Sequence, residues 1–388
     1  MAGFGKPQLN HQKVKRQKRA AHIEDTTKQA IIAYRNGDLI KAKSLLDKAI
    51  EVDQANGFAL GLLATIEKAL GNSIRAAQLF EASLKIDQNN PDILHNYSGL
   101  LEGEDLEKAI KLSERAIQIS PNNYKYLERN GYLKQKSGDL ENALKSTIAA
   151  IKIKPDLIDA HINLGRIYRE LGQMSHALAS TVQSLKIKPD NPTAHMNLGI
   201  IYKEIGNLDQ ALTSTIRSIE IDPNNPNCHL NLGEIYQLLG NLDQALASTF
   251  KSIELEPDNP TALTNLGNIY KELGDLDKAL SSTRKSIELK ADNPCAHMLV
   301  GIIQKKLGNT EQAAISTLQS LELSLNNPDA LLSLLTIFKE RDLEKIKSLS
   351  ENMVELDKDN LNKLSYIEAI SSLGEHFAND TIKKHSVL

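Results

Sequence analysis

Tryptophan is absent from this 388-residue chain, and aromatic residues together make up only 4% of it. One thick globular core is hard to build from so few large rings, and many thin apolar layers suit the composition better. Cysteine is nearly absent too. Cys228 and Cys295 stand 67 residues apart, which excludes a disulfide framework and thiolate-rich metal sites and leaves both as small buried or half-buried fillers. No stretch approaches the run of about 18 apolar residues that crosses a bilayer, and the start, MAGFGKPQLN, has no apolar core of signal-peptide length. A cytoplasmic address is therefore expected, with no transmembrane segment.

Charge of one sign is scarce as well, with a formal net of -3. The first 22 residues hold Lys6, Lys13, Lys15, Arg16, Lys18 and Arg19 and no acid, which leaves -9 for the rest. A basic tail on an acidic body gives no continuous cationic footprint, so nucleic-acid binding is not expected. What the chain does have, at 41% hydrophobic and 24% charged residues, is the profile of a folded soluble protein.

Laid out at a step of 34, one glycine column reads Gly131, Gly165, Gly199, Gly233, Gly267 and Gly301. A second reads Gly138, Gly172, Gly206, Gly240, Gly274 and Gly308, and extends back to Gly71 and Gly37. A proline column runs Pro121, Pro155, Pro189, Pro223, Pro257 and lapses at Ala291. Between these marks the apolar residues recur at helical spacing, which predicts helices over Asn227–Leu239 and Leu242–Leu255 in one unit, divided by Gly240-Asn241. The second-column glycine supplies the backbone freedom that a helix C-terminus wants, and Pro223 to Pro226 break the chain before the next pair. Counting from residue 23 gives ten units to residue 360, with Ser98 and Leu335 at the first-glycine position of the third and tenth.

His229, Leu232, Gly233, Tyr236, Ala245, Thr249 and Pro257 fall on the pattern W-x2-L-G-x2-Y…A-x3-F…P, with two large aromatics replaced. The unit therefore resembles the tetratricopeptide family, and Leu198-Gly199-Tyr202-Ala211 and Leu266-Gly267-Tyr270-Ala279 repeat the match. The resemblance implies an all-α fold, a right-handed α-solenoid (superhelix) of about ten helix-turn-helix units. Residues 1–22 are expected to form a disordered basic tail, residues 23–360 the solenoid, and residues 361–388 a capping helix with a frayed end.

The first-column glycine lies inside a helix, where it costs about 1 kcal/mol against alanine. Close approach of the paired helix is the expected reason, with Ala177, Ala211, Ala245, Ala279 and Ala313 facing it. The Ser-Thr pairs from Ser180-Thr181 to Ser316-Thr317 are read as a small-residue packing ridge, hydroxyls bonded to the preceding turn. His95, His161, His195, His229 and His297 form another column. Each is a full repeat from the next, too far for a shared ion, so they are read as half-buried packing groups and no metal is expected.

One column has functional content. Asn96, Asn163, Asn197, Asn231 and Asn265 each stand two residues before the repeated glycine position, with Arg129 and Leu299 there in the fourth and ninth repeats, so the unbroken run is Asn163, Asn197, Asn231 and Asn265. A side-chain amide donates and accepts, so a line of amides can bond the backbone of an extended peptide with little regard to its sequence. The column resembles the ladder lining the repeat domain of the O-linked N-acetylglucosamine transferase, which implies a peptide track. The alternative is that each asparagine bonds between helices. The family's carboxylate clamp is not expected in the central units, where the lysine position holds Ile162, Met196, Leu230, Thr264 and Met298.

No phosphate-cradling glycine loop, HExxH, CxxC or nucleophile elbow occurs. The expected function is a non-catalytic scaffold that holds an extended segment of a partner protein on its concave face, with no cofactor and no small-molecule substrate. The alternative is a substrate-recruiting accessory to a separately encoded glycosyl- or sulfo-transferase. A weaker alternative has residues 1–22 contacting lipid or nucleic acid.

Overall fold

The structure, a computed structural model, describes residue 21 and residues 23–324. The basic tail apart from residue 21, the tenth unit, the capping helix and residues 361–388 lie outside the described residues. The chain divides into two compact units, Met1–Asp190 and Asn191–Leu388.

The described part of the first unit is a run of helices: α1 (23–35), α2 (Leu39–Val52), α3 (Gly57–Ala69), α4 (Ser73–Ile86), α5 (Pro91–Leu101), α6 (Leu106–Ile119), α7 (Tyr124–Lys136), α8 (Leu140–Ile153), α9 (Ile158–Glu170) and α10 (Met174–Ile187). Those of the second are α11 (Pro192–Glu204), α12 (Leu208–Ile221), α13 (Pro226–Leu238), α14 (Leu242–Leu255), α15 (Pro260–Leu273), α16 (Leu276–Leu289), α17 (Pro294–Lys306) and α18 (Thr310–Leu323). The pair predicted over Asn227–Leu239 and Leu242–Leu255 appears as α13 and α14. α13 begins one residue early because Pro226 takes the first helical position, where its missing N–H costs nothing.

Punctuation in the sequence sets the boundaries. Asp38, Asp105, Asp139 and Asp275 cap second helices by accepting a backbone N–H three residues on. Asn90, Asn191 and Asn293 do the same for first helices that open on proline. Between the two helices of a unit, every second-column glycine from Gly37 to Gly308 has a positive φ, from 72° to 85°. That is the left-handed conformation in which an L side chain clashes with its own backbone.

Within each unit the two helices of a hairpin pack most closely, as in α7 with α8 or α13 with α14. Inside either compact unit a second helix then touches the next first helix, as α6 does α7 and α12 does α13. First helices also touch one another, α3 with α5, α5 with α7 and α7 with α9, and likewise α11 with α13, α13 with α15 and α15 with α17. In the first unit Ala64, Ala76, Phe80, Ile93, Tyr97, Leu101, Ala109 and Leu133 form one apolar cluster, and Phe80 stacks on Tyr97 with ring centroids 5.3 Å apart. In the second unit the apolar centre recurs as a column of fully buried side chains, Ile201, Ile235, Ile269 and Ile303. Cys228 is buried, whereas Cys295, expected to be buried or half-buried, is exposed: it stands just after Pro294 at the start of α17, before the helix turns inward.

Candidate functional site

The first-column glycines are held by oxygen. A Cβ on Gly165 would lie 2.4 Å from Thr181 Oγ1, on Gly233 2.5 Å from Thr249 Oγ1, and on Gly267 2.1 Å from Thr283 Oγ1. For Gly199 the same distance, to Thr215 Oγ1, is 2.3 Å. The backbone oxygens of Ala177, Ala211, Ala245 and Ala279 follow at 3.0–3.3 Å. So the threonine of the Ser-Thr pair, rather than the alanine alone, is what fits against the missing side chain. Thr181 and Thr283 donate to the carbonyls four residues back, at 2.9 and 2.7 Å. A neighbouring serine spans the hairpin: Ser218 and Ser286 donate to the carbonyls of Pro192 and Pro260, at 2.7 and 2.6 Å. Around Gly172, Gly206, Gly240 and Gly274 there is open space, and only the positive φ calls for glycine.

Three of the column histidines tie their first helix to the loop before it, with His161 Nε2 2.9 Å from the Pro155 carbonyl, His229 Nε2 2.8 Å from that of Pro223 and His297 Nε2 2.9 Å from that of Ala291. Among the described residues no three His, Cys, Asp or Glu side chains come together as a metal site.

The four singled-out asparagines differ in their surroundings. In the second unit Asn231, 4% exposed, donates to Thr215 Oγ1 at 2.9 Å and accepts from Lys203 Nζ at 2.8 Å. Both ends of its amide therefore join one repeat to the preceding one. Asn265 donates to Glu234 Oε1 at 2.7 Å, and Lys203 reaches the other oxygen of Glu234. Asn197, 5% exposed, has no partner for Nδ2 among the described residues. In the first unit Asn163, 7% exposed, reaches Thr147 Oγ1 at 3.4 Å through Nδ2, while its Oδ1 is buried with no partner among the described residues. Asn130 does the joining work where Arg129 occupies the asparagine position: it donates to Ser113 and accepts from Ser146, each at 2.8 Å.

Asn163 borders an open groove of about 660 Å³ across α5, α7 and α9. Its walls include Tyr124, Tyr132, His95, Glu128 and Arg129. Lys154 lies over the Tyr124 ring, 5.0 Å from its centroid. Tyr132 donates to Glu102 Oε1 at 2.8 Å, and Arg129 Nη1 donates to Glu102 Oε2 at 3.0 Å. His95 lies beside Tyr126 with ring centroids 5.2 Å apart, and its Nδ1 has no partner among the described residues. Burial, then the charge of Arg129, lowers the His95 pKa to about 4, so the ring is neutral at physiological pH. Burial and the nearby Asp159 push the Glu128 carboxyl up. Aromatic faces, both signs of charge and two unpaired polar atoms thus line one groove, which suits contact with a mixed polypeptide surface. Tyr124, Tyr132 and Glu102 did not stand out in the sequence, because no column repeats them.

Family models described as TPR repeat match residues 165–206 and 201–240, and models described as tetratricopeptide repeat match 226–259 and 250–281. Residues 165–281 carry tetratricopeptide repeats. Among solved structures, the APC/C hetero-tetramer Cut9–Hcn1 aligns with a TM-score of 0.58 at 14% identity, covering 81% of this chain and 76% of that one. PilF of Pseudomonas aeruginosa aligns at 0.46 and 18%, over 53% of this chain and 94% of its own. The tetratricopeptide protein TTC0263 of Thermus thermophilus aligns at 0.44 and 22%, over 46% and 98%. At 14% identity the likeness to Cut9–Hcn1 is one of fold alone. No curated protein matches the chain. Among the described residues no helix is long and apolar enough to cross a membrane.

Proposed function

We propose that this tetratricopeptide-repeat protein is a non-catalytic scaffold that holds an extended segment of a partner polypeptide, with the groove over α5, α7 and α9 as its contact in the first unit. The observation that carries this reading is Asn163. Its amide oxygen is buried at the groove wall without a partner among the described residues, and a buried acceptor left unpaired costs about 1–3 kcal/mol. A peptide N–H laid along the groove would remove that cost, and Tyr124 and Tyr132 would supply the apolar contact that backbone bonding lacks.

The track proposed from the asparagine column narrows accordingly. Asn163 and Asn197 have free amide atoms to offer, whereas Asn231 is fully engaged and Asn265 donates to Glu234. Cut9–Hcn1 is an assembly of two kinds of chain, and a comparable use of the fold is what we propose here. The column's likeness to the transferase repeat domain supports a second reading, in which the held segment is presented to a separately encoded glycosyl- or sulfo-transferase.

The test is a photo-cross-linking side chain placed at Tyr132, in the groove, and at Lys111, which is 70% exposed on α6. In native extract the Tyr132 variant should capture a partner segment that the Lys111 variant does not, and Asn163→Leu should abolish the capture. Equal capture at both positions would sink the groove reading. A transferase among the proteins retained with the captured segment would favour the second reading.

A further inference from the structure

Tyr124, Glu128 and Tyr132 follow one another at four-residue steps on α7, and Asp159 and Asn163 do so on α9. All five line the open groove of about 660 Å³, so each helix turns one face to it. The two carboxylates on these faces have nothing to hold. Glu128 is half-buried and Asp159 exposed, and neither makes a hydrogen bond or ion pair with any described residue. The cations along the groove are directed elsewhere. Arg129 donates to Glu102 at 3.0 Å, Lys154 lies over the Tyr124 ring, 5.0 Å from its centroid, and Lys125 is exposed. Burial and then the Asp159 charge push the Glu128 carboxyl up, and Arg129 and Lys154 offset this only in part. A third acceptor stands one turn along α9 from Asp159. Asn163 is 7% exposed, and its Oδ1 is buried in the groove wall with no partner among the described residues. Two unpaired carboxylates beside an unpaired amide oxygen are satisfied together by a group that is positive and rich in N–H donors.

We infer that Glu128, Asp159 and Asn163 form a seat for one arginine of the extended partner segment. The inference rests on the groove reading above: Asn163 takes a backbone N–H of the segment, and the side chain leaving the backbone there meets Asp159 on α9 and Glu128 on α7. Carboxylates on two helices favour a guanidinium over an ammonium. Its five N–H groups lie in one plane and fork to both acids, whereas a lysine carries one compact charge. Tyr124 and Tyr132, one turn to either side of Glu128, supply aromatic surface beside the planar cation, as Tyr124 already does for Lys154. Charge also acts at longer range. The net -9 of the chain beyond residue 22 draws basic segments, and that preference weakens as salt rises.

Fluorescence anisotropy on the full chain tests the seat, with labelled, end-blocked, threonine-rich peptides that differ at one central residue: Arg, its uncharged isostere citrulline, or Lys. At low salt the Arg peptide should bind about tenfold more tightly than the citrulline peptide, with the Lys peptide between them. Glu128→Gln should remove most of that ratio, and Asp159→Asn added to it the rest. Equal binding of the Arg and citrulline peptides, no binding of the Arg peptide at millimolar concentration, or an Arg preference that survives both substitutions overturns the seat. Lys binding as tightly as Arg overturns the guanidinium assignment. Hydrogen exchange on α7 of the free protein gives a second reading. Because Glu128 has no internal partner, Glu128→Gln should leave protection equal to or above that of the unaltered chain, and faster exchange would mean that the carboxylate is already held from within, which also overturns the seat. The chain's own basic tail is another source of arginine. Replacing Arg16 and Arg19 by Gln should leave the affinity for the Arg peptide unchanged; tighter binding would make the tail the occupant and overturn the assignment to a partner.

These failures are separable from failure of the groove reading. Capture at Tyr132 of a segment with no arginine removes the seat and leaves the groove. An Arg preference that Glu128→Gln abolishes, without capture at Tyr132, does the reverse.

Discussion

Gly233→Ala should destabilise the second unit, although alanine is the better helix former. Glycine inside α13 costs about 1 kcal/mol relative to alanine, so on propensity alone the substitution would stabilise by that amount. Against it, the new Cβ would lie 2.5 Å from Thr249 Oγ1 and 3.3 Å from the Ala245 carbonyl oxygen. The first distance is well inside carbon–oxygen contact, so Thr249 must leave its rotamer or α13 and α14 must part, at about 1–3 kcal/mol. The net loss is between about zero and 2 kcal/mol. Thr249→Ala removes the colliding oxygen, whose hydroxyl has no hydrogen-bond partner among the described residues, and costs about 1 kcal/mol for the buried methyl. In the double variant the Cβ at position 233 occupies space the threonine has left, and the 3.3 Å contact alone is tolerable. The pair should therefore couple favourably by about 1–3 kcal/mol. Denaturant titrations of the four proteins, with hydrogen exchange on α13 and α14 because repeat arrays open in parts, supply the cycle. Additive losses would refute the claim that the hydroxyl is what keeps position 233 glycine.

Gly240→Ala should also destabilise, by about 1–2 kcal/mol, but for a backbone reason: its φ is 76° and nothing lies within 4 Å of a Cβ there. No second-site change on α14 should rescue it, which the same titrations would show. Glu67 is fully buried, with Oε1 2.8 Å from Lys43 Nζ and 3.1 Å from Arg75 Nε, and Oε2 accepting from Asn72 at 2.7 Å. Burial opposes its charge, but these partners outweigh burial and hold the carboxyl below its ordinary value. Its contribution is therefore present above the ordinary carboxylate range and lost as pH falls through the folded value. Glu67→Ala should cost about 1–3 kcal/mol at neutral pH, since the partly exposed cations return to water, and should flatten the acid limb of the stability curve of the first unit. His95 acts over a higher window. Its folded pKa of about 4 lies below the ordinary 6.5, so the unfolded chain takes up the proton first. Stability is full above 6.5 and falls as pH drops toward about 4, by about 2 kcal/mol at about pH 5. Hydrogen exchange on α5 against pH should show that loss, and His95→Gln should remove it.

Positions sampled in every unit are readable from the sequence, since each column repeats one physical requirement. Gly37 through Gly308 mark a left-handed turn whichever unit is inspected, and the helix bounds around Gly240 agree within a residue. The first glycine column reads correctly as a place of close approach, but spacing along one helix cannot say which atom on the paired helix approaches. Thr249 and Ala245 share a face of α14, and only the built pair tells the oxygen from the methyl. The asparagine column is harder still. Asn163 and Asn231 occupy the same place in the repeat, yet Lys203 completes the amide of Asn231 while the amide oxygen of Asn163 has no partner among the described residues. A neighbour one repeat away decides the difference.

Apart from Asn163 and His95, the candidate site is composed of departures from the repeat, which is why periodicity passes over most of it. Arg129 stands in an asparagine position, and Tyr132 and Glu102 belong to no column. In a solenoid the shared positions are spent on stacking one hairpin against the next, as the buried amides of Asn130 and Asn231 are, and they carry little that distinguishes one partner from another. Specific recognition has to come from residues that stacking leaves free. In the first unit those are Arg129 and the tyrosines beside it, together with the amide oxygen of Asn163, which stacking leaves without a partner among the described residues.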